Sequence, residues 1–241
     1  MTYDPILSLA TAALEIAAAV WTLRGPGRKS LTQPVAAILT FLAAYQIIEA
    51  IFCSSNAASS LSFLPKMAFM VVAWLPPMGL LLVSRLYPAN PRWVKGFAFF
   101  MFLVCTILVV GIALDRNFVT VSVCLIVFAR YQNPTPLYQA YGIFYQSGLL
   151  SMLLLSANGV TNCEDLHTRR LLGQVLLGSI AFIIPSLVTV AVVPVAEAAL
   201  PSIMCHFALL LAAFLTRLAW MERNADTMLD RAAPLEGAHA N

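Results

Sequence analysis

The sequence predicts an all-α membrane protein, a bundle of seven transmembrane helices, and three observations predict it. Of its 241 residues 61% are hydrophobic and only 10% charged, a balance well outside that of soluble globular domains. The apolar residues form long runs split by short polar breaks, and mean hydropathy is +0.85, the pattern of several spanning helices. Basic side chains gather on alternate breaks, as they do when one side of the chain stays in the cytoplasm.

The spans are expected at Ile6–Leu23, Pro34–Cys53, Met67–Leu86, Gly96–Leu114, Gly142–Gly159, Leu171–Val193 and Ser202–Trp220. The first has no basic residues before it and carries Asp4, so it reads as a span rather than a cleaved signal. The second, PVAAILTFLAAYQIIEAIFC, reaches across roughly 30 Å at about 1.5 Å per residue. The breaks are GPGRKS, SSNAASS, YPANPR, a long segment after Asp115, NCEDLHTRR and PVAEAALP. All but one are short, so successive helices should be antiparallel neighbours.

With the N-terminus outside, the inner breaks and tail hold Arg24, Arg28, Lys29, Arg85, Arg92, Lys95, Arg169, Arg170, Arg217, Arg223 and Arg231. Only Lys66, Arg116 and Arg130 of the 14 lysines and arginines fall on the other side. An N-out, C-in topology in the bacterial cytoplasmic (inner) membrane follows. Trp21, Trp93 and Trp220 fall at the inner boundary, where interfacial aromatics belong. Residues 1–220 then form one membrane domain and 221–241 a short cytoplasmic tail.

The long break, residues 115–141, is an outer lid. Phe118–Phe128 is too short to span as a helix. Val119, Val121 and Val123 alternate with Thr120, Ser122 and Cys124, which favours strand, and NPTP at Asn133–Pro136 signals a turn. A short β-hairpin or irregular lid is expected there, with a re-entrant segment as the alternative. Tyr138, Tyr141 and Tyr145 are expected at the outer headgroup level. Pro76 with Pro77, and Pro185, should kink the third and sixth spans and free carbonyls inside the bundle.

Candidate site residues lie inside the spans. Tyr45, Gln46, Glu49 and Cys53 are three or four residues apart on one helix face, and an ionisable group within a span points to function because burying it is expensive. Counting from the helix ends places Glu49 and His206 about 6 Å below the outer boundary, with Gln46 and Trp74 slightly deeper and Glu15 near mid-span. If the seventh helix closes a ring against the first, Glu15, Glu49 and His206 face one interior space. Gln46 and Glu49 read either as ligand contacts or as a polar clamp that holds helix register. For His206 and Trp74 a packing role competes with a ligand role.

The five cysteines contain no C-x₂-C pair, and no metal site or cofactor is expected. Cys53 and Cys124 both fall on the outer, oxidising side, so they are a disulfide pair if their Cα atoms come within about 7 Å. The seventh span has no lysine for a retinal Schiff base, and no G-x-S-x-G, P-loop or kinase signature occurs.

Two blocks carry a family resemblance. LTFLAAYQIIE at Leu39–Glu49 and PSIMCHFA at Pro201–Ala208 resemble a family of uncharacterised small bacterial seven-helix membrane proteins. That family shows Gln-Gln-x-x-Glu-Gly in the second helix and Pro-Ser-x-x-Cys-Phe-Phe-Ala in the seventh. The matching positions are Gln46, Glu49, Pro201, Ser202 and Cys205, whereas Tyr45, Ala50 and His206 depart from the pattern. WLPP at Trp74–Pro77 with Arg85, and RRLLGQVLLG before the sixth span, are more loosely similar to the seven-helix sensor region of some bacterial histidine kinases. Both resemblances imply a compact N-out, C-in bundle.

The resulting expectation is a sensor-like or small-ligand-binding module with a polar outer-leaflet site at Gln46 and Glu49. Its partners would be membrane lipids, a small-molecule ligand and a cytoplasmic signalling protein, with no nucleic acid. A small transporter or proton-coupled carrier using Glu15 and Glu49 is the second reading. An intramembrane enzyme with Glu49 and His206 as acid and base is the third.

Overall fold

The computed structural model describes residues 5–54, 63–88, 91–119, 121–124, 129–132, 135–192 and 200–238. They form α1 (Ile6–Arg24), α2 (Lys29–Ser54), α3 (Phe63–Val72), α4 (Leu75–Leu86), α5 (Arg92–Leu114), β1 (Val121–Cys124), β2 (Ala129–Gln132), α6 (Pro136–Asn162), α7 (Leu166–Val192) and α8 (Leu200–Ala238). Seven helices are long and apolar enough to cross a membrane, α3 and α4 counting together as the third. The chain is a multi-pass membrane protein.

Its apolar residues are distributed as lipid demands. On α1 the inward stripe is Ser8, Thr11, Ala12, Glu15, Ala19 and Thr22, while Ile6, Leu9, Leu14 and Leu23 are exposed. Small and polar residues let helices approach and bond to one another, and hydrocarbon solvates the large apolar ones. The second and third spans lie at the centre, with 61% and 67% of their apolar windows buried, against 28% for α5. Helices α1, α2 and α8 pack mutually, which closes the ring expected between the first and seventh spans.

The tandem prolines break the third span. Pro77 has no N–H for the carbonyl of Ala73, and the Cys105 thiol of α5 takes that place, its Sγ 3.2 Å from the Ala73 oxygen. Pro76 presses against Gly148 of α6, where a Cβ would collide with its ring. Pro185 does not break α7, which runs on to Val192.

Between α5 and α6, β1 and β2 pair antiparallel with Val121 opposite Gln132 and Cys124 opposite Ala129. The Lys66 amine donates to the carbonyl of Asp115 at the end of α5, a cation at a helix C-terminus. Phe118 is fully buried and meets Phe69 edge-on at 5.3 Å.

At the opposite end lie the loops rich in Arg and Lys. Here α8 continues past Trp220 without a break to Ala238, so the residues from 221 onward extend the helix of the last span. Glu222, one turn beyond Leu218, is buried. Asp165 caps α7, accepting from the backbone N–H of Thr168 at 2.9 Å and of His167 at 3.3 Å.

Candidate functional site

The second and seventh spans are joined by side chains at the end nearest the strand pair. Gln46, wholly buried, donates from Nε2 to the backbone carbonyl of Cys205 at 2.8 Å. Ser202 donates from Oγ to Glu49 Oε1 at 2.7 Å, and both residues are buried. Gln46 and Glu49 are three apart on α2, and Ser202 and Cys205 three apart on α8, so each helix presents two rungs on one face. The blocks at Leu39–Glu49 and Pro201–Ala208 are thus the two that meet.

Glu15 enters the same region from α1. It is fully buried, and neither of its carboxyl oxygens has a hydrogen-bond partner among the described residues. Both Glu15 and Glu49 lie within electrostatic range of the Cys205 thiol. The structure therefore brings together Gln46, Glu49 and Glu15, and adds Ser202 and Cys205, which span-by-span counting did not single out.

The remaining expected residues have different roles. Tyr45 is buried in the core beside Gln46. His206 is half-buried, and its Nδ1 donates to the Ser202 carbonyl of its own helix at 2.8 Å, leaving Nε2 without a partner among the described residues. Trp74 stands at the break in the third span and packs on Phe102 of α5 at 6.2 Å. Cys53 and Cys124 are disulfide-bonded with Cα atoms 5.6 Å apart, which ties the end of α2 to β1.

Beside the α2–α8 contact is a cavity of about 150 Å³, lined by Val72, Tyr138, Tyr141, Tyr145, Gln146 and Met204 among others. Tyr141 and Tyr145 are buried, because their spacing on α6, which begins at Pro136, puts them on its inward face. Tyr138 stacks on Tyr141 with centroids 6.3 Å apart, and Tyr141 on Tyr145 at 5.9 Å. Met204 is the neighbour in sequence of Cys205, so the cavity wall and the α2–α8 latch share a turn of α8.

A second polar centre lies at the basic end and was not foreseen. The guanidinium of Arg28 holds both oxygens of buried Glu222, one of them at 3.0 Å, and His167 Nε2 meets Glu222 Oε2 at 3.2 Å. Arg223 donates to the Trp21 carbonyl at 2.7 Å and lies 3.8 Å over its ring. Gly25 leaves room for that guanidinium, which a Cβ would overlap. The available signal was a carboxylate two residues past Trp220, facing loops of arginines.

Among the described residues no group of three His, Cys, Asp or Glu side chains could hold a metal ion. Comparison with known protein families, curated proteins and solved structures finds no match.

Proposed function

We propose that the chain is a sensor-like, small-ligand-binding module of the bacterial cytoplasmic membrane, N-terminus outside, with the ligand held in the tyrosine-lined cavity. The observation that carries this reading is the shared turn of α8. Met204 lines the cavity while Cys205 accepts from Gln46 and Ser202 donates to Glu49. A molecule filling the cavity pushes on α8 where α2 is latched to it, so occupancy and helix register are coupled. Gln46 and Glu49 then act as the reading elements of the site.

The collection of Arg and Lys at one end supports the orientation, and the Cys53–Cys124 disulfide supports an oxidising compartment for the other. On that reading β1 and β2 form a lid tethered to α2, and a cytoplasmic partner reads movement of the broken third span and α7 at the basic end. A cavity of about 150 Å³ is of the size that holds a benzene-sized molecule. Tyrosine rings and glutamine amides suit a neutral single ring bearing a hydroxyl. Phenol is therefore the probe. Saturation-transfer NMR on the purified chain in micelles should show phenol bound to the wild type and lost from Gly142→Val, which fills the cavity. Equal signal from both proteins removes the cavity as the site.

One observation favours a proton-coupled carrier as the second reading: Glu15 is buried within the first span without a hydrogen-bond partner among the described residues, close to Cys205 as Glu49 is. Proteoliposomes carrying the protein would then collapse an imposed pH gradient, and Glu15→Gln would abolish the effect. A gradient that persists with the wild type excludes a proton path through Glu15 that runs without a co-transported substrate.

A further inference from the structure

Two grooves meet at Arg85 on the surface of the bundle. One, between α4 and α5, measures about 440 Å³ and is lined by Arg85, Lys95, Ala98, Phe99 and Phe102. The other, between α2 and α4, measures about 250 Å³ and is lined by Gln33, Pro34, Ala37, Met78 and Arg85. Leu81 belongs to both and forms the ridge between them.

Polarity along the grooves is graded. Arg85 is in the last turn of α4 and Lys95 in the first turn of α5, both exposed and both at the end of a span. Met78 and Phe102 each lie seven residues further in, roughly 10 Å toward the bilayer centre at 1.5 Å per residue. Among the described residues neither Arg85 nor Lys95 has an ion-pair or hydrogen-bond partner. Two unneutralised cations thus stand over two apolar clefts that diverge from them. Nearby, Tyr87 and Trp93 meet edge-on at 6.2 Å, an aromatic pair of the kind that sits at headgroup level.

We infer that these grooves hold one anionic diacyl phospholipid, its phosphate between Arg85 and Lys95 and one acyl chain in each groove. The guanidinium offers a fork to two phosphate oxygens and the ammonium a point charge, and basic pockets between spanning helices bind anionic headgroups on this principle. The clefts are walled by Pro34, Ala37 and Met78 on one side and Ala98, Phe99 and Phe102 on the other. A soluble anion would engage the two cations alone, whereas an anionic diacyl lipid joins the phosphate between them to a chain in each cleft.

The test is native mass spectrometry of the full chain released from neutral detergent micelles, with phosphatidylglycerol and phosphatidylcholine of identical chains. Phosphatidylglycerol should be retained about tenfold better, since each cation at a membrane surface adds an independent attraction. Arg85→Gln with Lys95→Gln should abolish the preference, and Arg169→Gln with Arg170→Gln, at the same end, should keep it. Single-chain lysophosphatidylglycerol should be retained less well than the diacyl lipid. Photoactivatable acyl chains on phosphatidylglycerol should label the wild type at peptides containing Met78 and Phe99 or Phe102. Equal retention of the two lipids, a preference that survives the double substitution, labelling confined elsewhere, or displacement of the lipid by millimolar inorganic phosphate would each overturn the proposal.

Discussion

Ser202 Oγ donates to Glu49 Oε1 at 2.7 Å across the contact of α2 with α8, 153 positions apart in the chain. Beside it, Gln46 spans the same contact to the Cys205 carbonyl. These two bonds make the helix pair a register rather than a greasy surface, because sliding either helix by one residue breaks both. The first prediction concerns this latch. Glu49→Ala leaves the Ser202 hydroxyl buried without its acceptor and should cost about 1–3 kcal/mol. Glu49→Gln keeps an acceptor oxygen of the same shape, and its cost should stay near the ~0.6 kcal/mol typical of hydrogen bonds between membrane helices. Unfolding in mixed micelles measures both. If neither variant changes stability or the cellular phenotype, the latch has no role.

The cavity supplies the second prediction. Gly142 lines it, and a Cβ built there meets nothing within 4 Å. Gly142→Ala should therefore raise stability, since alanine is favoured over glycine inside a helix by roughly 1 kcal/mol. It should at the same time weaken binding of phenol by shrinking the space. Stability and binding moving in opposite directions is the signature. A variant that is both more stable and binds phenol as well as the wild type would show that the probe sits elsewhere.

At the basic end the third prediction follows from the grip of Arg28 and His167 on Glu222. Glu222 is 2% exposed at its side chain and Arg28 49%, so the pair is half solvated and screened on one side. Removing the carboxylate by Glu222→Ala frees the loop between α1 and α2 as well as the start of α7. A loss of about 1–3 kcal/mol is expected, less than for a fully buried pair. His167→Ala should cost less, because Arg28 still neutralises the carboxylate. A larger loss from His167→Ala than from Glu222→Ala would reverse that ranking.

Why some of this was legible in the chain and some not has a physical reason. Spanning helices need long uninterrupted apolar runs, so each expected span lies within a turn or two of a helix observed by length and hydropathy. The break at Trp74 is legible because tandem prolines remove two backbone donors. Glu49 and Gln46 read as inward because lipid cannot solvate them. Which groups they meet is another matter: the relative register of two helices depends on packing, and nothing in LTFLAAYQIIE names the Cys205 carbonyl. The Glu222 clamp joins residues 194 and 55 positions apart, and only the continued α8 brings them together. The burial of Tyr141 and Tyr145 was legible too, since a spacing of four residues on α6 puts both on one face.

The fourth prediction is a count of thiols. The chain has five cysteines; Cys53 and Cys124 are bonded, and Cys105, Cys163 and Cys205 are free. Alkylation of the denatured, unreduced protein should add three labels by mass spectrometry, and five after reduction. Five without reductant would mean that β1 is not tethered to α2 in the protein as isolated.

The cap at Asp165 yields the last prediction, one of pH. Its carboxyl is held below the usual carboxylate range, first by the hydrogen bond with the Thr168 side chain, then by the backbone N–H of Thr168. A depressed value means that the folded state binds the proton less readily than the unfolded state. The stability it contributes is therefore complete above the ordinary carboxylate pKa and is lost as pH falls through the lowered folded value. Asp165→Ala should unfold earlier than the wild type at neutral pH, because α7 loses its N-cap acceptor. The gap between the two should narrow as pH drops below the carboxylate range, down to the part that the neutral, protonated wild-type side chain still supplies as an acceptor. Asp165→Asn keeps an acceptor without a charge, so it should retain part of the gap and be indifferent to acid. Melting curves of the three proteins from pH 7 down to the acid limit of solubility measure this, and a gap that stays constant with pH would separate the cap from the ionisation of Asp165.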